Sequence, residues 1–407
     1  MVTAREPGPD TRVFAMGESG LVAPDFPPLT TAETARVLAC SSAVLDEWTG
    51  SVAGSAGPGA ELGERSGSVV AGGPSAEPGP VIEWHSRRPL SSAARIRLGD
   101  GRRVVVKRMP STLRDPATLA LEHAFADHLR AHGIPIPRMH AVRQGESTYE
   151  IQELGAGVDR YRDDFSWSPY HSVREAGAGG AMLARMHRAA AGFDAPERPP
   201  HPLLAAVCSD PIATIERYCA ARPELARFLT ELGWRRDWEP LADRGRGRAL
   251  ASRIAAMPSL WTHNDWHPTN LLWTGDEITA VLDFGLANRT LAVFDLATAI
   301  ERFAVDWLAA GSKRVRTDQL AAFLRGYGEI RPLGAAERAL LPDIFPLVHI
   351  AYELSEMDYF LTIPPRRQVR GARIAYRNYL LGRSVWAASA EGKAFTTMLR
   401  GLSAECC

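Results

Sequence analysis

The chain has 407 residues, 45% of them hydrophobic, which is room for a sizeable folded core plus an extension. Lysine plus arginine and aspartate plus glutamate both number 47, so the formal charge is zero. That balance argues against a broad nucleic-acid-binding surface and against strong recruitment to an anionic membrane. No apolar run approaches membrane-spanning length, and the N-terminus lacks a basic-then-apolar signal. Five cysteines fall in no metal-ligand spacing and read as reduced thiols, so a cytoplasmic location is expected.

In chain order, residues 1–29 are punctuated by proline and glycine and read as poorly ordered. Thr30-Thr31-Ala32-Glu33 is a capping-box signature that opens a helix to about Trp48. Residues 50–80, rich in Gly, Ala, Ser and Pro, read as a flexible linker, so 1–80 form an N-terminal extension. Residues 94–98 and 103–108 are two strands joined by the turn Gly99-Asp100-Gly101. Lys107 stands at the end of the second. Asp115-Pro116 then starts a helix to about Ala131, with Leu119, Leu121, Phe125 and Leu129 on its core face. Residues 148–155 read as a buried strand running into a joint at 154–157.

The densest signal is His263-Asn264-Asp265-Trp266-His267-Pro268-Thr269-Asn270, followed by Val281-Leu282-Asp283-Phe284-Gly285. Leu271-Leu272-Trp273 and residues 278–282 are short apolar strands, with Gly275-Asp276 as a hairpin turn between them. Antiparallel pairing sets Asn270, before one strand, beside Asp283, after the other. One amide oxygen and one carboxylate on a shared site suit magnesium completed by phosphate and water. Asp265 adds a carboxylate able to orient a hydroxyl and take its proton.

These residues resemble the catalytic segment of the aminoglycoside phosphotransferase family. Its loop commonly reads His-Gly-Asp-x-His-x-x-Asn, matched here at His263, Asp265, His267 and Asn270, with Asn264 in place of glycine. The resemblance implies an α+β, two-lobed protein-kinase-like fold. A small antiparallel-sheet N-lobe with one helix (81–153) would bind ATP, and a larger, mainly helical C-lobe (158–400) would carry the catalytic loop. It implies ATP and Mg2+ as cofactors, with Asn270 and Asp283 holding the metal and Lys107 the phosphates. Glu122 would brace Lys107, and the hinge backbone at Glu153 and Leu154 would meet adenine. The phosphate-covering loop, residues 84–94, has no glycine. Ser91 and Ser92 with their amides, or Arg87 or Arg88, would serve there. His263 and His267 are expected to shape the loop by hydrogen bonding, with His267 alternatively approaching the phosphates.

The acceptor is expected to be a small-molecule hydroxyl, on an antibiotic or a metabolite. Only residues 286–294 separate Asp-Phe-Gly from a helix that Asp295 would cap, too few for a peptide-docking segment. Two alternatives stay open: a Ser/Thr kinase acting on a peptide precursor, and a catalytically inactive nucleotide-binding protein. His349, Glu353 and Glu356 share one helix face and form a candidate acceptor wall, or else a solvated charged face offset by the arginines at 366–377. His187 is expected to be a buried hydrogen-bonding residue. Oligomeric state is not legible.

Overall fold

The computed structural model describes residues 11–14, 21–50, 79–241, 244–307, 309 and 311–405. The linker expected at 50–80 therefore lies almost wholly outside the described residues.

The small lobe is built on strands β1 (Val81–His85), β2 (Ser92–Arg97), β3 (Arg103–Pro110), β4 (Met139–Gln144) and β5 (Ser147–Glu153). They form one antiparallel sheet in the order β1-β2-β3-β5-β4. Strand alternation gives this sheet two different faces. Ala94, Ile96, Val104, Val106, Tyr149 and Ile151 are buried on the outer one. The N-terminal extension covers that face: Val37, Leu38 and Leu45, from helices α1 (Thr31–Cys40) and α2 (Ser42–Gly50), join the same apolar cluster. The expected capping box is present at Thr30 and Glu33, but the helix breaks at Ser41 into two. Glu33 also ties to the sheet, accepting from Arg108 Nη1 and the Tyr149 hydroxyl, both at 2.7 Å. Truncating Val37, fully buried in this cluster, removes two methyl groups and leaves a cavity. Val37→Ala is expected to cost about 2 kcal/mol in a urea unfolding titration.

Helix α3 (Pro116–Ala131) begins as expected, with Asp115 accepting from the Thr118 amide and Pro116 at its first turn. It lies within the main apolar cluster and buries Leu119, Phe125 and Leu129.

The large lobe is mostly helical. Its central helices α4 (Val173–Ala189) and α6 (Thr317–Ile330) approach backbone to backbone. A Cβ at Gly180 would sit 2.0 Å from the Phe323 carbonyl oxygen, and one at Gly326 would sit 2.2 Å from that of Gly177. Between these helices in sequence lie β6 (Leu260–Thr262), the hairpin β7 (Leu271–Thr274) and β8 (Glu277–Val281), β9 (Asn288–Thr290) and the fully buried α5 (Ala292–Ala304). Hairpin register pairs Val281 with Leu271, and the Leu282 amide donates to the Asn270 carbonyl at 2.9 Å. Helix α7 (Ile350–Thr362) completes the wall beside the catalytic loop.

Candidate active site

One cleft between the lobes is lined by Lys107 and Ser91 from above and by Asp265, His267, Asn270 and Asp283 from below. The hairpin sets the lower group. Asn270 precedes β7 and Asp283 follows β8, so register brings both to one end. Asn264 (φ 61°) and Asp283 (φ 58°) both adopt the left-handed conformation that asparagine and aspartate tolerate better than other side chains. The substitution of glycine by Asn264 thus keeps the backbone geometry. Its side-chain amide donates to the Thr262 and Leu286 carbonyls at 3.2 and 3.1 Å.

Both oxygens of Asp265 have partners. Oδ1 lies 3.3 Å from Arg302 Nη2. Oδ2 accepts from Asn270 Nδ2 at 3.3 Å and lies 3.5 Å from His267 Nε2. Burial alone would raise this carboxyl, but the facing His267 ring and Arg302 guanidinium hold it well below the usual carboxylate range. Asp265 is therefore an anion at neutral pH. Lys107 Nζ is 3.5 Å from Asp283. Burial works against the ammonium, but the carboxylates of Asp283, Glu150 and Glu122 together more than offset it, raising the lysine. Asp283 is held down in return, first by Lys107.

His263 stitches the loop to the hairpin. Its Nε2 donates to the Leu282 carbonyl at 3.0 Å and its Nδ1 accepts from the Asp265 amide at 3.2 Å. His267 bonds Thr269 Oγ1 at 2.7 Å through Nδ1, and burial lowers its pKa.

The other residues singled out in the sequence take the following places. Glu122 acts on Lys107 only as a more distant charge, because its carboxylate bonds Arg114 and lies 2.7 Å from Arg198 Nη2. Those arginines in turn donate to the Gly285 carbonyl at 2.6 and 3.1 Å, and Arg198 to that of Ala287 at 2.9 Å. Glu122 thus anchors the segment after Asp283. The acid opposite Lys107 is Glu150, its cross-strand partner, which approaches His123 at 3.6 Å. Ser91 lines the cleft, but Ser92 is buried at the start of β2 and lines a separate small cavity with Val13 and Phe26. Arg88 lines the cleft while Arg87 pairs with Asp163 at 2.8 Å. Glu153 spends its carboxylate on Arg138, at 2.9 Å to the amide and 3.0 Å to Nε. With Leu154, which is 42% exposed, it lines a neighbouring groove alongside Trp48 and Pro137.

Asp295 is not a helix cap. It lies inside α5, 0% exposed, and accepts from the His263 and Asn264 amides at 3.0 and 2.8 Å and from His187 Nε2 at 3.0 Å. His187 also bonds the Tyr327 hydroxyl at 2.7 Å, the buried role expected of it. The face of His349, Glu353 and Glu356 is buried rather than solvated. Arg383, which sequence reasoning missed, answers Glu353 at 3.3 Å and Glu301 at 2.5 Å. Arg302 was missed too. No local periodicity marks either arginine.

The residues present suit a divalent ion bound together with nucleotide. With Nδ2 of Asn270 donating to Asp265, its Oδ1 is left for a metal, and Asp283 supplies a second hard oxygen. Among the described residues no group of three His, Cys, Asp or Glu side chains could hold a metal. An ion here would thus take the rest of its shell from phosphates and water.

The antiparallel small lobe, the helical large lobe and the carboxylate-and-lysine cleft between them define a two-lobed, kinase-like phosphotransferase with a hydroxyl acceptor. The chain belongs to the phosphotransferase enzyme family (APH), whose model matches residues 88–333, more than half of its length. It is similar to the homoserine kinase of Afipia carboxidovorans, 25% identical over 257 residues, covering 60% of this chain and 69% of that one. The homoserine kinase of Azorhizobium caulinodans is 27% identical over 263 residues, covering 63% and 74%. Among solved structures, an amicoumacin kinase, hAmiN, in complex with AMP-PNP, Ca2+ and Ami is 14% identical with a TM-score of 0.46, covering 77% of this chain and 86% of that one. Among the described residues, no helix is long and apolar enough to cross a membrane.

Proposed function

We propose that the protein transfers the γ-phosphoryl group of Mg-ATP to the hydroxyl of a small molecule. The observation that carries this reading is the convergence of Lys107, Asp265, Asn270 and Asp283 on one cleft. Lys107 pairs with the ATP phosphates, and Asn270 and Asp283 hold the metal. Magnesium, when bound, neutralises the phosphate charge. The acceptor oxygen forms the new bond to the γ-phosphorus as the bond to the bridging oxygen breaks and ADP leaves. Asp265 orients the hydroxyl and takes its proton as that bond forms. Its low proton affinity suits a loose transition state, in which the proton moves late. His263 and His267 set the loop, and Glu122, through Arg114 and Arg198, fixes the segment after Asp283.

The finer reading is a metabolite-sized alcohol as acceptor. The homoserine kinases that this chain resembles support it, since homoserine is an alcohol of that size. The test is to screen hydroxyl compounds for acceptor-dependent ADP release; none from any alcohol, with phosphorylation of peptides instead, would replace this reading by the peptide-kinase one. Asp283→Ala is expected to weaken Mg-ATP binding at least ten-fold by calorimetry, because it removes a metal ligand and the counter-charge of Lys107 together. Unchanged affinity would remove Asp283 from the site.

A further inference from the structure

The loop over the mouth of the cleft is held from both lobes. It runs through residues 86–91, between β1 and β2, and Arg88, Pro89, Leu90 and Ser91 line the cleft. No glycine lies within residues 84–94. Such a loop has fewer backbone conformations open to it, so its packing partners decide where its amides point. Three contacts tie it to the large lobe. Arg87 Nη1 donates to Asp163 at 2.8 Å, Arg88 Nη1 to the Ser166 hydroxyl at 3.5 Å, and the Tyr359 hydroxyl of α7 to the Leu90 carbonyl at 3.0 Å. Tyr359 is 1% exposed, so that last bond is sheltered from competing water.

The N-terminal segment Pro24-Asp25-Phe26-Pro27-Pro28 backs the same loop. Its three prolines restrict the backbone in advance, so holding it in one place costs less entropy. Phe26 is buried and lines one small cavity with Ser86, Ser91 and Ser92. It also belongs to the apolar cluster that includes Tyr359 and Phe360 of α7. The chain is pinned on either side of that ring. The Arg108 guanidinium of β3 donates to the Pro27 carbonyl, and Gln368, beyond α7, donates to Asp25 Oδ1 at 2.8 Å. One short stretch thus joins the small lobe's sheet, the covering loop and the large lobe.

We propose that residues 24–28 form a strap, in which Phe26, together with Tyr359, positions the covering loop over bound nucleotide and sets how fast ADP leaves. A loop fastened to both lobes must come free before product can escape. Neither side chain lines the cleft, so both are positioning residues. This inference rests on reading the cleft as a nucleotide site.

The experiment follows release of mant-ADP, a fluorescent ADP, with Mg2+ from the full-length protein by stopped-flow fluorescence, which needs no acceptor. Tyr359→Phe is expected to speed release roughly three- to ten-fold, the range for losing one hydrogen bond of ordinary net strength. Phe26→Ala should speed it at least as much, and Phe26→Leu, which keeps most of the apolar bulk, should restore most of the wild-type rate. The double variant Phe26→Ala/Tyr359→Phe should fall short of the product of the two effects, because both act on one loop. Val37→Ala is the control: it weakens the N-terminal extension away from the loop and should leave release unchanged. Release at the wild-type rate in both Tyr359→Phe and Phe26→Ala overturns the strap while leaving the nucleotide site standing. So does a Val37→Ala rate as fast as that of Phe26→Ala, which would make the effect one of stability. Wild-type protein that binds no mant-ADP overturns both readings. Should Phe26→Ala fail to fold, Asp25→Ala, which cuts the strap's exposed tie to Gln368, takes its place.

Discussion

Replacing Asp265 with asparagine is expected to lower kcat by roughly 10²- to 10⁴-fold, the span attributed to a positioned acid or base, with Mg-ATP affinity changed less than about three-fold. The amide keeps the shape of the side chain but not its charge. Two consequences follow from the contacts. The acceptor proton loses its destination, and Arg302 loses the carboxylate 3.3 Å away. The nucleotide contacts proposed for Lys107 and Asp283 are untouched, and Asn270 keeps the Asp265 main-chain carbonyl 3.0 Å from its Nδ2. Steady-state kinetics with calorimetry of AMP-PNP separates the two. Should the variant keep a tenth or more of wild-type kcat, Asp265 is not the group that orients the hydroxyl. Because the neighbouring His267 and Arg302 hold Asp265 low, wild-type kcat should also stay flat down to the acid limit of the fold. A kcat that falls with a midpoint near pH 6 to 7 would point to a histidine instead.

The second large effect is structural. Asp295→Ala is expected to destabilise the protein by roughly 3–5 kcal/mol, the cost of stripping a buried charge network of its acceptor. Three buried donors lose their partner at once: the amides of His263 and Asn264 and His187 Nε2. The loss should show as a lower urea midpoint with an unchanged slope. Activity should fall in the folded fraction as well, because the released amides belong to the loop that carries Asp265. Asp295→Asn keeps one acceptor oxygen and should recover part of the stability. An alanine variant as stable as the wild type would mean that the catalytic loop is held by other contacts.

The sequence was most legible where chemistry is local. Asp115-Pro116 announced α3, Gly275-Asp276 announced the β7–β8 hairpin, and hairpin register alone put Asn270 beside Asp283. What stayed hidden depends on contacts far apart in the chain. Lys107 had two acids to choose from, Glu122 on the following helix and Glu150 across the sheet. Only strand register, which pairs residue 107 with residue 150, separates them. Glu122 then meets Arg198, whose position in an irregular stretch carries no periodic signal. Glu353 and Glu356 read either as an acceptor wall or as a solvated helix face, because charge at helical spacing is usually solvated. Their burial is made possible by Arg383 and Arg302, distant in sequence. Ser91 and Ser92 are adjacent, yet Ser92 opens β2 on its buried face while Ser91, just before the strand, reaches the cleft.

The two N-terminal helices that roof the small lobe's sheet bear on how this protein can be handled. The family match starts at residue 88, past β1 and past both helices. A chain trimmed to that boundary would present Ile96, Val104, Val106 and Ile151 to water as one bare greasy plate, and its refolding yield should collapse into aggregates. The leading segment is therefore no removable tail but part of the small lobe's folding unit.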